Sequence, residues 1–161
     1  MGENVAMKVS AKVDYAVQAI IEIARATEQQ NVISAEAIAS KHDIPEKFLE
    51  GILTSLRKAK LINSYRGPSG GYELARPAGE MNVAEIIRAI DGPLAAVRGA
   101  PPEEIKYESS VQHVADVWIA TRVALREVLE NITVTQIIEG KFDNLVTKKL
   151  EKKDARKRRK L

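Results

Sequence analysis

Few side chains in this sequence could do covalent chemistry, but several are spaced to grip a polyanion. Residues 64–77 read SYRGPSGGYELARP, with Arg66 beside the first of three glycines and a proline close by. A phosphate cradle, a plain hairpin and a nucleic-acid-probing wing would all use such a loop. The cradle fits poorly, because GPSGGY lacks the lysine and Ser/Thr of a nucleotide P-loop and lies between two strand-like runs rather than opening a helix. Upstream, Lys47, Glu50, Thr54 and Arg57 fall at i, i+3, i+7 and i+10, one face of a helix. Such a face suits a DNA major groove. Glu50 can accept from a cytosine amino group, while Lys47 and Arg57 can reach guanine or phosphate. Arg66 at the base of a glycine-lined loop suits a narrow minor groove, whose negative potential attracts arginine. Gly70 and Gly71 would let the backbone approach phosphates closely and donate amides to them.

Other chemistry is poorly supplied. The sequence has no cysteine, which excludes disulfides, thiol nucleophiles, cysteine-ligated zinc and thiolate-held iron–sulfur clusters. His42 and His113 are the two imidazoles, too few for most transition-metal sites. No serine sits in a G-x-S-x-G elbow, and Ser109 and Ser110 have no evident base. Glu103 and Glu104 lie in a polar loop, where solvated charge explains them. His113 falls between the apolar positions Val111 and Val114 and reads as partly exposed rather than as a ligand. No catalytic or metal site is expected.

The elements that must position the polar face and the loop follow from periodicity. Between Ser10 and about Thr27, Val13, Ala16, Val17, Ile20, Ile21 and Ala24 make an amphipathic helix. Ser34 caps a short helix over AEAIASK, with Ala35, Ile38 and Ala39 inward and Glu36 in the first turn. A third helix follows at once, with Asp43 and Glu46 placed as a capping box, Pro45 in the first turn, and Phe48, Leu49, Ile52, Leu53 and Leu56 as its buried stripe. Two helices joined by about three residues form a helix-turn-helix. LINSY and GYELA then make a hairpin around RGPSG, in which Gly70–Gly71 supply positive φ. The expected fold is mainly α with a small β-hairpin: a winged helix-turn-helix.

Asn82 and Glu85 cap a fourth helix that Gly92 closes, and residues 93–108 read as a loop. From Ser110 onward, Val111, Val114, Trp118, Thr121, Leu125, Val128 and Ile132 recur with alternating gaps of 3 and 4. That is a heptad seam on a helix of about 22 residues, roughly 33 Å long. A second copy of the chain is its natural partner, so this is the expected dimerisation helix. Thr133 and Gln136 cap a last short helix. The expected units are a DNA-binding domain over 7–80, a linker helix, loop and dimerisation helices over 81–147, and a basic, disordered tail over 148–161. The tail holds nine Lys/Arg against two acids, whereas the other residues hold 16 against 20, so the basic pI is a property of the tail. It could add affinity for DNA without sequence information. No apolar run approaches the roughly 18 residues of a membrane span, and the first residues lack the order of a secretory signal; a cytoplasmic protein is expected.

The segment ISAEAIASKHDIPEKFLEGILTSLRKAKLINSYRGPSGGYELARP closely resembles the DNA-binding domain of the BadM/IscR/NsrR/CymR-type repressors, the Rrf family. IPEKFLEGIL, LRKAKLI and above all RGPSGGYELARP carry the likeness, which extends through VAEIIRAIDGPL to about residue 140. The resemblance implies a homodimeric transcription regulator, a repressor, on an imperfect palindrome of double-stranded DNA. It implies base reading by Glu50, a minor-groove role for Arg66, and phosphate or base contacts from Ser34, Lys47, Thr54, Arg57 and Ser69. Tyr72 would pack the wing onto the helices. Several family members hold an iron–sulfur cluster through cysteines just after the counterpart of IIRAIDGPL. Here that region reads AAVRGAPPEEIKYESS, so no such cofactor is expected. A small-molecule or protein effector is open. The rival expectation is a protein-interaction module that keeps the winged fold without binding DNA, suggested by the acidic balance outside the tail.

Overall fold

Ser10 starts the first helix, α1 (Ala11–Glu28), by accepting the Val13 amide on its hydroxyl. The structure, a computed structural model, describes residues 8–158. Helix α1 is buried more widely than a single stripe requires. Ala19 and Ile23 are fully inside, whereas Val17 and Ile21 are only partly covered. The reason is its central position, since α2, α3, α4, α6 and the hairpin all pack on it. Glu22 is its one buried charge, and it ties α1 to the second helix, α2 (Ala35–His42). It accepts from Lys41 Nζ at 2.7 Å and lies 3.0 Å from His42 Nε2. Burial alone would raise the Glu22 carboxyl, but the hydrogen bonds and charges of Lys41 and His42 outweigh it and leave the group below its ordinary range.

Helices α2 and α3 (Glu46–Lys58) are joined by Asp43, Ile44 and Pro45, the short connection expected of a helix-turn-helix. The expected Asp43–Glu46 capping box does not form. Asp43 adopts left-handed backbone at φ 52° to close α2, Ile44 turns into the core, and Pro45 occupies the N-cap without a side-chain bond. A three-residue reversal leaves Asp43 two positions too early to cap. Leu49, Ile52, Leu53 and Leu56 form the buried face of α3; burial of each such side chain contributes about 1.5–3 kcal/mol. Phe48 departs from the expected stripe. It sits about 100° round the helix from Leu49, stays 40% exposed, and meets Tyr15 edge-on at 5.8 Å.

Strands β1 (Ile62–Tyr65) and β2 (Gly71–Leu74) pair antiparallel, with Ile62 opposite Leu74 and Tyr65 opposite Gly71. A 3₁₀ turn at Ala78–Glu80 leads to α4 (Val83–Asp91), which carries the complete Asn82–Glu85 capping box and ends at Gly92 with φ 83°. Residues 93–108 are loop apart from a 3₁₀ turn at Pro102–Glu104. Helix α5 spans Val114–Leu129, shorter than expected. Val111 belongs to a separate 3₁₀ turn (Ser109–Val111), and Ile132 lies beyond the helix. There the chain turns back to pair with the segment before α4. Val83 donates to the Ile132 carbonyl at 3.0 Å, and Val134 donates to that of Met81 at 2.9 Å. Backbone pairing, stronger than a continued heptad, ends the helix. The Thr133–Gln136 box opens α6 (Val134–Glu139), and Val134 and Met81 are both fully buried in the cluster shared by α1, α3 and α4. Asp143 caps α7 (Asn144–Leu150), which runs three residues into the segment expected to be tail. Beyond it, residues 151–158 form turns, and 159–161 lie outside the described residues.

Candidate nucleic-acid interface

The wing is held to the helices by its second strand. Tyr72 donates to the Ile33 carbonyl at 2.8 Å and accepts the Ile33 amide at 3.1 Å, adding the α1–α2 linker to the hairpin as a third extended segment. The Leu74 amide donates to Thr27 Oγ1, so the far end of β2 is pinned to α1. Tyr72 is partly buried against the core, as expected. Across the hairpin, the exposed Tyr65 donates its phenol to Glu73 at 2.5 Å, and that bond together with the carboxylate's charge raises the phenol above its ordinary range.

The glycines act mainly through close approach. Gly67 has φ 103°, but Gly70 lacks the expected positive φ. A Cβ on Gly70 would lie 2.3 Å from the Tyr65 carbonyl oxygen, and one on Gly71 would lie 2.6 Å from the Ile33 oxygen. Gly71 is therefore what lets the linker strand reach the wing. Gly71→Ala should destabilise the protein by about 1–3 kcal/mol, because the clash is with backbone rather than a movable side chain. Thermal or urea melts read this directly, and an unchanged midpoint would contradict it. The Gly70 amide is already engaged, donating to the Gly67 carbonyl at 2.9 Å. Around the exposed tip of the wing, the amides of Arg66, Gly67 and Ser69 have no backbone acceptor among the described residues.

Between α2, α3 and this wing lies a concavity of about 360 Å³. Ser34, Arg57, Arg66, Gly70 and Gly71, expected on separate grounds, line it together. Ser34 accepts the Ala37 amide at 3.1 Å, which leaves its hydroxyl proton to donate outward. Arg57 lies in the last turn of α3 and Arg66 follows β1; both are exposed. Lys47, Glu50 and Thr54 do not line the concavity. They continue the same exposed face of α3 toward its N-terminus, with Lys47 about 15 Å along the axis from Arg57. Among the described residues, Lys47, Arg57 and Arg66 form no ion pair, whereas Arg76 pairs with Glu85, Arg88 with Glu130 and Arg122 with Glu103. Exposed cations without internal partners remain available to an external anion. Tyr65 also lines the concavity and was not anticipated; its place next to Arg66 at the end of an alternating run was the available signal.

Helix α5 presents a different surface. None of its residues is buried. Val114, Trp118, Thr121, Leu125 and Val128 are partly covered, while Val117 is 56% exposed and Val123 46%. Of the two histidines, His42 meets Glu22, and the exposed His113 contacts Asp116 at 2.8 Å.

A provisionally named HTH-type transcriptional regulator of Mycobacterium tuberculosis is 42% identical over 134 residues, covering 83% of both chains. The HTH-type transcriptional regulator CymR of Bacillus subtilis is 31% identical over 131 residues, which are 81% of this chain and 89% of CymR. The solved structure of CymR, the global cysteine regulator of B. subtilis, superposes with a TM-score of 0.69 at 29% identity, covering 84% of this chain and 98% of that one. IscR of T. potens gives 0.67 at 32% identity, covering 86% and 90%. The Rrf2 family model, described as an iron-dependent transcriptional regulator, matches residues 9–140. The donor set here does not fit a thiolate-held iron centre, since the sequence has no cysteine and no three His, Asp or Glu side chains among the described residues converge as metal ligands. The relatives are transcriptional regulators, not enzymes, and the likeness spans the helix-turn-helix, the wing and α5 alike. This winged helix-turn-helix chain belongs to the Rrf2 family of transcriptional regulators.

Proposed function

We propose that the protein is a homodimeric, sequence-specific repressor that binds an imperfect palindrome of double-stranded DNA in the cytoplasm without an iron–sulfur cluster. One observation supports this reading: Arg57, at the C-terminal end of the exposed polar face of α3, and the wing's Arg66 border a single concavity, and neither has an ion-pair partner among the described residues. In this reading α3 enters the major groove, Glu50 accepts from a cytosine amino group, and Lys47, Thr54 and Arg57 contact neighbouring bases or phosphates. Ser34 and Ser69 donate to phosphates on either side, and Arg66 enters the adjoining minor groove. The dimer forms through α5, whose uncovered apolar side chains have no partner within the described residues.

Glu50 provides the test of base reading. Glu50→Ala should abolish the preference for cytosine at one position in each half-site, a discrimination of about 1–3 kcal/mol, while leaving nonspecific affinity intact. Gel shifts with all four bases at that position, at physiological salt, measure it. An identical preference in the variant would remove α3 from base recognition. Failure of the unaltered protein to bind any sequence selectively would favour a protein-interaction module instead.

A further inference from the structure

A second group of cations lies away from the wing, where α4 meets α5. A cavity of about 430 Å³ opens beside residues 92–94, lined by Arg88 of α4, Pro93, Pro101 and Glu103 of the loop, and Arg122 and Arg126 of α5. Arg122 is the most enclosed of the described arginines, with its side chain 14% exposed. Its Nη1 donates to Glu103 Oε2 at 2.6 Å, but its Nε–H is buried with no acceptor. Among the described residues it is the one buried side-chain polar atom so placed. That N–H is sealed from solvent and so from the open cavity as well; what Arg122 offers an occupant is the rest of its guanidinium, beside the exposed Arg126.

The local charge has the matching sign. Arg88 is paired with Glu130 and Arg122 with Glu103, while Arg126 forms no ion pair among the described residues. Three guanidinium groups therefore face two carboxylates. Glu103 is held below the ordinary carboxyl range by a backbone hydrogen bond and by the bond from Arg122, with further help from the charges of Arg122 and Arg126. Arg126 thus acts on the same centre. We propose that this cavity binds a small anion bearing a carboxylate or phosphate group, held by Arg122 and Arg126 with Arg88 at its rim. Planar guanidinium forks suit both groups. Because α4 also packs on α3, an anion bridging Arg88 to the arginines of α5 would set the angle between the reading helix and α5. That coupling to DNA rests on the proposed function, whereas anion binding does not.

The experiment uses the full chain without DNA. Inorganic phosphate and succinate are titrated separately at ionic strength held constant with sodium chloride. Heat is followed by calorimetry, and fluorescence by Trp118, the single tryptophan, one turn before Arg122 on α5. Saturable binding of one anion per chain is expected for at least one of the two, and the arm that responds identifies the group. Arg122→Gln and the more exposed Arg126→Gln should each weaken it about tenfold or more. Arg98→Gln, a loop arginine over Tyr107 and outside the cavity lining, should not. The Arg126 variant keeps the test valid if Arg122→Gln fails to fold. Absence of saturation with both anions, or equal affinity in Arg126→Gln, overturns the proposal.

Discussion

Val117→Asp combined with Thr121→Asp should turn the proposed dimer into a folded monomer and lower operator affinity by about two to four orders of magnitude. The size of the effect comes from linkage. A dimer presents its second reading head at high effective concentration once the first is bound, and a monomer loses that gain even with every DNA contact intact. The position of the change keeps the fold out of question. Val117 is 56% exposed and Thr121 is only partly covered, so their replacement removes little from the core of a single chain. Across a helix pair, the introduced carboxylates would meet their symmetry mates in a desolvated seam. Sedimentation gives the association state, a thermal melt reports the fold, and anisotropy on labelled duplex gives the affinity. A variant that sediments as a stable dimer would contradict the assignment of α5.

Arg66→Ala should cost about 1–3 kcal/mol of specific DNA binding, a loss of roughly 5- to 150-fold. Arg66 is exposed and makes no internal ion pair among the described residues, so stability should change by no more than about 0.5 kcal/mol. The loss should fall on particular positions. An arginine in a narrow minor groove senses width, so preference for A·T pairs flanking the major-groove contacts should fade with it. Arg66→Lys should recover part of the affinity but less of that preference, because the compact, strongly hydrated ammonium is a poorer narrow-groove reader. The salt dependence of binding should also flatten by about one counterion per removed contact. A footprint and base preference unchanged in Arg66→Ala would take the wing out of the mechanism.

What could be read directly from the residues was mostly local. Ser34, Asn82 and Thr133 all cap the helices they were expected to cap, because a cap needs only an oxygen and an amide three residues on. The exposed face of α3 followed from its 3.6-residue period. Errors arose where distant segments decided. Asp43 closes α2 because Ile44 must turn inward, and α5 stops short because residues 132–134 pair with Met81 and Val83. The pairing of Ile33 with Tyr72, which explains why residue 71 must be glycine, joins positions 39 apart in sequence and leaves no periodic trace. Helix α7 was missed because its basic residues were read for their charge, although Asp143 offered a cap. The gathering of Ser34, Arg57 and Arg66 round one concavity needed the fold itself.

The central claim is that one surface, made of the α3 face and the wing and doubled by self-association, grips a duplex. Selection of bound sequences from randomised double-stranded DNA at physiological salt tests it most directly. The account predicts enrichment of an inverted repeat, with one copy of the half-site for each reading helix and A·T-rich steps where the two wings reach. Enrichment of a single asymmetric site, or recovery of sequences no different from the starting pool, would contradict it.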